Sequence, residues 1–144
     1  MNVEILAKHW AEKKYPVNSG STHAEIETAE SHFSAIFPED FKNYLLTLNG
    51  IEEDVDDENQ IYFWPLIKIL EQSQAECNDC DIEFEYVVFA DYLISVWSYA
   101  FKISNNSLEG IYQISRNAEP NFICNTFSEF IELYLQKSDL AFIV

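Results

Sequence analysis

Between Pro38 and Gly50 the chain has almost one solution open to it. Phe41, Tyr44, Leu45 and Leu48 fall at i, i+3, i+4 and i+7, which lines up one face of an α-helix and no face of a strand. Pro38 stands where its missing N–H costs little, at a helix start. Gly50 stands where a helix end calls for a left-handed residue. The spacing predicts a helix over Pro38 to Leu48 that lays this stripe on a sheet, with Leu45 in the core.

Weaker signals surround it. Val3, Leu6, Ala7 and Trp10 predict a short first helix, and Pro16 to Ser21 a loop. Thr22 and Glu25 form a capping box ahead of Ile26, Ala29 and Phe33, and Thr126 and Glu129 form a second ahead of Phe127, Phe130, Ile131 and Tyr134. Ile61-Tyr62-Phe63-Trp64 reads as a strand ended by Pro65, and Leu66, Ile67, Ile69 and Leu70 allow a short helical turn. Further strands are expected at Tyr86 to Ala90 and at Ile94 to Ile103. In the latter, Val96 lies on one face and Trp97, Tyr99, Phe101 and Ile103 on the other. Asn105-Asn106 and Gly110 mark a turn into Ile111 to Ile114, and Phe122-Ile123 reads as extended. The apolar tail Leu140 to Val144 should dock on the body, since exposure would invite association. Helices, then strands joined by short turns, then a helix give an α+β single domain over residues 1–144. Its sheet is twisted and mainly antiparallel, with helices packed against it.

Charge decides who can approach such a domain. Twenty-five Asp and Glu against eight Lys and Arg give a net charge of −17 over 144 residues. Glu52, Glu53, Asp54, Asp56, Asp57 and Glu58 form one acidic run, and Glu76, Asp79, Asp81, Glu83 and Glu85 another. Such a field repels phosphates, so neither nucleic acid nor an anionic membrane is expected as a partner, and it draws in basic proteins. With 48% hydrophobic residues the chain has material for a core and is not a disordered acidic tail. No apolar run reaches the roughly 18 residues of a membrane span. Met1-Asn2-Val3-Glu4 does not read as a secretory leader, and three cysteines suit a reducing compartment, so the expected location is the cytoplasm.

Few residues invite chemistry. Gly20, Gly50 and Gly110 are too far apart to cradle a phosphate. Cys77 and Cys80 form a C-x-x-C that could supply half of a zinc site or a redox pair. Glu76, Asp79 and Asp81 would oppose the thiolates, and no paired spacing completes the ligand set. The run around Asp54, Asp56, Asp57 and Glu58 lacks the alternation and the central glycine of a calcium loop. No nucleophile motif accompanies His9, His23 or His32. No catalytic residue, metal ligand or cofactor is expected. Tyr62, Trp64, Trp97 and Tyr99 sit near the acidic runs in sequence. Large aromatics beside acids make protein-binding patches; the alternative is packing in the core or on a sheet face, which accounts for Trp97 equally well and for Phe63 and Phe101 better.

Four segments in order resemble the SUKH superfamily, which holds fungal cell-wall assembly regulators and many bacterial toxin-immunity proteins. Phe37 to Gly50 resembles its LP-x-x-Y/F-x-x-F/Y-L-x-x-x-NG helix. Phe63-Trp64-Pro65-Leu66 is similar to its strand before the middle helix, and Val88 to Tyr92 to its following strand and turn. Asn125 to Ile131 resembles its closing S-F-x-E-F-L/I helix. The likeness covers about residues 22–135 and departs at Leu93 to Trp97, where the family often carries glycines. It implies an α+β fold without catalysis or cofactor. It further implies either an immunity protein that neutralises a cognate secreted toxin domain, or a regulatory module that binds other proteins as the fungal members do. An acidic surface suits a basic, nuclease-type toxin. The partner-binding set expected on these grounds is Glu52, Glu53, Asp54, Asp56, Asp57, Glu58, Tyr62, Trp64, Asp91 and Trp97.

Overall fold

The computed structural model describes residues 3–52, 61–76, 85–92, 97–115 and 119–136, with the backbone alone for 72–76. Among them the order is α1 (Val3–Glu12), α2 (His23–Phe33), α3 (Glu39–Thr47), β1 (Ile61–Phe63), α4 (Leu66–Glu76), β2 (Tyr86–Tyr92), β3 (Trp97–Ser104), β4 (Ser107–Ile114), β5 (Asn121–Cys124) and α5 (Phe127–Leu135). The five strands form one antiparallel sheet in the order β1-β2-β3-β4-β5. This is the α+β domain that the alternation of signals implied.

The stripe on α3 lies at the centre. Leu45 and Phe41 are fully buried. The Phe41 ring lies 4.8 Å from Phe101 on β3, 5.1 Å from Phe127 on α5 and 6.0 Å from Phe89 on β2. Phe63 on β1 meets Tyr134 at 5.0 Å and Trp10 at 5.2 Å, and the Trp10 indole N–H donates to the Tyr134 hydroxyl at 3.0 Å. Helices α1, α3 and α5 thus share one aromatic core with the sheet. Each such ring contributes about 1.5–3 kcal/mol by burial, and each well-angled pair about 0.5–1.5 kcal/mol more. Both capping boxes form: Thr22 and Glu25 exchange bonds of 2.7 and 3.1 Å, and Thr126 and Glu129 bonds of 3.1 and 3.1 Å.

Polar clasps fix how the elements join. Asn49 has a left-handed backbone, φ +52. Its amide donates to the Ser19 carbonyl at 3.1 Å and its oxygen accepts the Leu66 N–H at 2.7 Å, so one side chain ties the end of α3 to the N-terminal loop and to the start of α4. Gly50 follows at φ +81 against the Phe63–Pro65 backbone. At the other end of α3, one Asp40 oxygen accepts both the Ser128 N–H at 2.9 Å and its hydroxyl at 2.8 Å, which locks α3 to α5.

Sheet edges are covered by short bridges. The Ile51 amide donates to the Phe63 carbonyl at 3.1 Å, and Val17 bridges Ile51 in turn. Ile36 pairs with Ser107 beside the start of β4. Gly110 departs from its expected role as a turn residue. Asn105 and Asn106, at φ +51 and +63, complete the two-residue hairpin by themselves. Gly110 sits inside β4 as the extra residue of a bulge, between Lys102↔Glu109 and Phe101↔Ile111. Helix α4 is a full 11 residues rather than a turn, and β2 runs on to Tyr92. Cys77, Cys80 and the tail Leu140 to Val144 lie outside the described residues.

Candidate protein-binding surface

The structure brings part of the expected site together, but in the interior. In the strand register Tyr62 stands opposite Asp91, and Asp91 opposite Ser98. Tyr62 and Trp64, two residues apart, point to the same side. The Trp64 indole N–H donates to an Asp91 carboxylate oxygen at 2.6 Å. Trp64 is 0% and Asp91 4% exposed. The Lys68 ammonium from α4 lies 5.2 Å from the centre of the Tyr62 ring and 5.0 Å from that of Trp64. A carboxylate taken out of water must be hydrogen-bonded, and an indole N–H must find an acceptor. Each meets that need in the other, and the cation sits on the face of the same indole.

This corrects the sequence expectation for two residues. Trp64 and Asp91 offer no surface to a partner, because their polar atoms meet each other below it. Tyr62 is 8% exposed and close to the same state. Trp97 is half-buried, stacked on Tyr92 at 4.3 Å, with its indole N–H donated to the Tyr99 hydroxyl at 2.9 Å. It keeps an edge at the surface. Glu52 is exposed directly after the buried Ile51. Glu53, Asp54, Asp56, Asp57 and Glu58 lie outside the described residues.

Two titratable groups elsewhere are shifted by burial. Burial pushes the Cys124 thiol up to about 12, with the Glu129 carboxylate adding to the shift and the Thr126 backbone opposing it. Burial raises the Tyr44 phenol far above its usual range, against the pull of the Gly50 amide. Among the described residues no group of three His, Cys, Asp or Glu is placed to hold a metal ion, and no helix is long and apolar enough to cross a membrane.

The sequence reading missed the exposed Ile67, which stands at 64% on α4. A partial signal was present: Leu66, Ile69 and Leu70 fall at i, i+3 and i+4 on one face, and Ile67 lies at the margin of that stripe.

The chain matches the SMI1/KNR4 family (SUKH-1) over residues 20–133. A search of curated proteins found no match. The matched span holds α2 through most of α5 and the clasps described above, apart from Ser19, which Asn49 binds one residue before it begins. The residues that carry the likeness are those that build the core and its joints: Phe41, Tyr44, Asn49, Gly50, Trp64, Asp91, Phe127 and Glu129. Fold and motif agree over well over half of the 144 residues, and the chain belongs to the SMI1/KNR4 (SUKH-1) family.

Proposed function

We propose that this chain is an immunity protein that binds a cognate toxin domain of basic, nuclease type and blocks it inside the producing cell. The observation that carries the reading is a net charge of −17 on a member of this family. Blocking needs occupancy, not catalysis. Carboxylates from Glu52, Glu53, Asp54, Asp56, Asp57 and Glu58 take the groove in which the toxin would hold phosphates, with Trp97 and the rim of Tyr62 at the margin of the contact.

Long-range attraction between surfaces of opposite sign raises encounter rates by about 10–10³-fold and is screened beyond about 8 Å at physiological salt. The charge therefore acts on association, while close apolar contact sets dissociation. The test is stopped-flow binding to the toxin domain encoded beside this chain, with the six carboxylates changed to their amides. Association should slow about tenfold at low salt and lose most of its salt dependence. Equal rates for both proteins would remove the electrostatic part of the reading, and no binding by the unaltered chain would remove the whole.

A further inference from the structure

With Trp64 and Asp91 interior, the apolar anchor of a docking surface has to come from elsewhere. A groove of about 370 Å³ runs between α2 and α4. Leu66 and Leu70 line its α4 side, and Ile67 stands beside them 64% exposed. Glu25, Thr28 and Asn49 form the facing wall. An isolated exposed isoleucine is ordinary, but one at the lip of a groove between two helices is placed to receive another side chain. The groove is preformed. Asn49 holds the Leu66 amide at 2.7 Å, the Thr28 hydroxyl is tied to the Ala24 carbonyl at 3.0 Å, and the Ser21 hydroxyl to the Leu45 carbonyl at 3.0 Å. Little has to be ordered on binding.

Its rim is acidic. Glu25 uses one carboxylate oxygen for the Thr22 cap, and the other has no partner among the described residues. Glu71 is exposed one turn beyond Ile67 on the same side of α4. In the chain, Asn49 of the groove wall lies three residues ahead of Glu52, where the acidic run begins. By contrast Ile36, equally exposed at 64%, lies near Glu30, one of whose carboxylate oxygens accepts the Phe37 amide at 2.8 Å and pairs with the Lys42 ammonium at 3.4 Å, so that its charge already has a counterion.

We infer that the α2–α4 groove receives an apolar side chain of the basic partner protein, flanked there by lysine or arginine that meets Glu25 and Glu71. The inference rests on the immunity function proposed above. It assigns dissociation to a place that the acidic run does not include.

The experiment measures association and dissociation of the adjacent toxin domain with the full chain, with Ile67→Ser, and with Ile5→Ser as a control on α1, where Ile5 is 51% exposed. Methyl resonances of Ile67, Leu66 and Leu70 are followed in the unaltered chain during the same titration. Ile67→Ser should dissociate about tenfold faster with association little changed, as for loss of an interface anchor, and Ile5→Ser should match the parent. The three methyls should shift and that of Ile5 should not. Unchanged dissociation of Ile67→Ser and silent methyls, with binding intact, would overturn the groove and leave the immunity function standing. No binding by the unaltered chain would overturn that function and this inference with it.

Discussion

At Gly50 a β-carbon would lie 2.7 Å from both the Phe63 carbonyl oxygen and the Trp64 carbonyl carbon, at a φ of +81. Neither atom belongs to a flexible side chain, so the substitution cannot be absorbed locally. Gly50→Ala should cost at least ~2 kcal/mol, seen as a lower midpoint in urea with an unchanged slope. A midpoint within error of the parent would show that the backbone yields there. The sequence pointed to a left-handed residue here, but the one that ends α3 is Asn49, at φ +52, and Gly50 is required one residue later by the close Phe63–Pro65 backbone. Trp64 and Asp91 were not legible in the sequence, since an aromatic and an acid near acidic runs also describe a binding patch. Their burial is decided by a bond between positions 27 apart, which no local pattern reports.

Elements whose signals are local came through with their ends intact. Both capping boxes needed only four residues each, and the α3 stripe only eight. Thr126→Ala should cost about 1 kcal/mol by removing the acceptor for the Glu129 amide, and melting should fall accordingly. If the melting temperature holds, the Asp40 clasp on Ser128 secures the start of α5 without the cap. Elements fixed by tertiary contact were read less well. Gly110 looked like a turn because glycine usually marks one, yet the paired asparagines had already closed the hairpin and the glycine serves a bulge. Helix α4 looked like a single turn because its apolar residues stop at Leu70 while the helix runs to Glu76. The α2–α4 groove could not be read at all, since its lining comes from α2, from Asn49 and from α4, which only the tertiary fold brings together. The family motifs were little guide to it, because they reach the groove only at Asn49 and Leu66, where the two residues form a joint.

Across the whole molecule the charge opposes the fold that carries it. Seventeen uncompensated negative charges on one small domain repel one another, and salt screens them within about 10 Å at 0.1 M. Raising sodium chloride from about 10 to 300 mM should therefore lift the melting temperature by ~2–5 °C, since 1 kcal/mol is worth a few degrees in a domain of this size. A flat response would mean that the acidic segments are spaced widely enough not to interact. The bond between Trp10 and Tyr134 bears on a different moment in the protein's life. It joins residues 124 apart, and ribosomes add about 5–20 residues each second. For roughly 6–25 s of synthesis, Leu6 and Trp10 have left the ribosome's catalytic centre while the helix that covers them does not yet exist. During translation α1 has Tyr44 and then Phe63 to pack against, but its cover stays incomplete until α5 emerges.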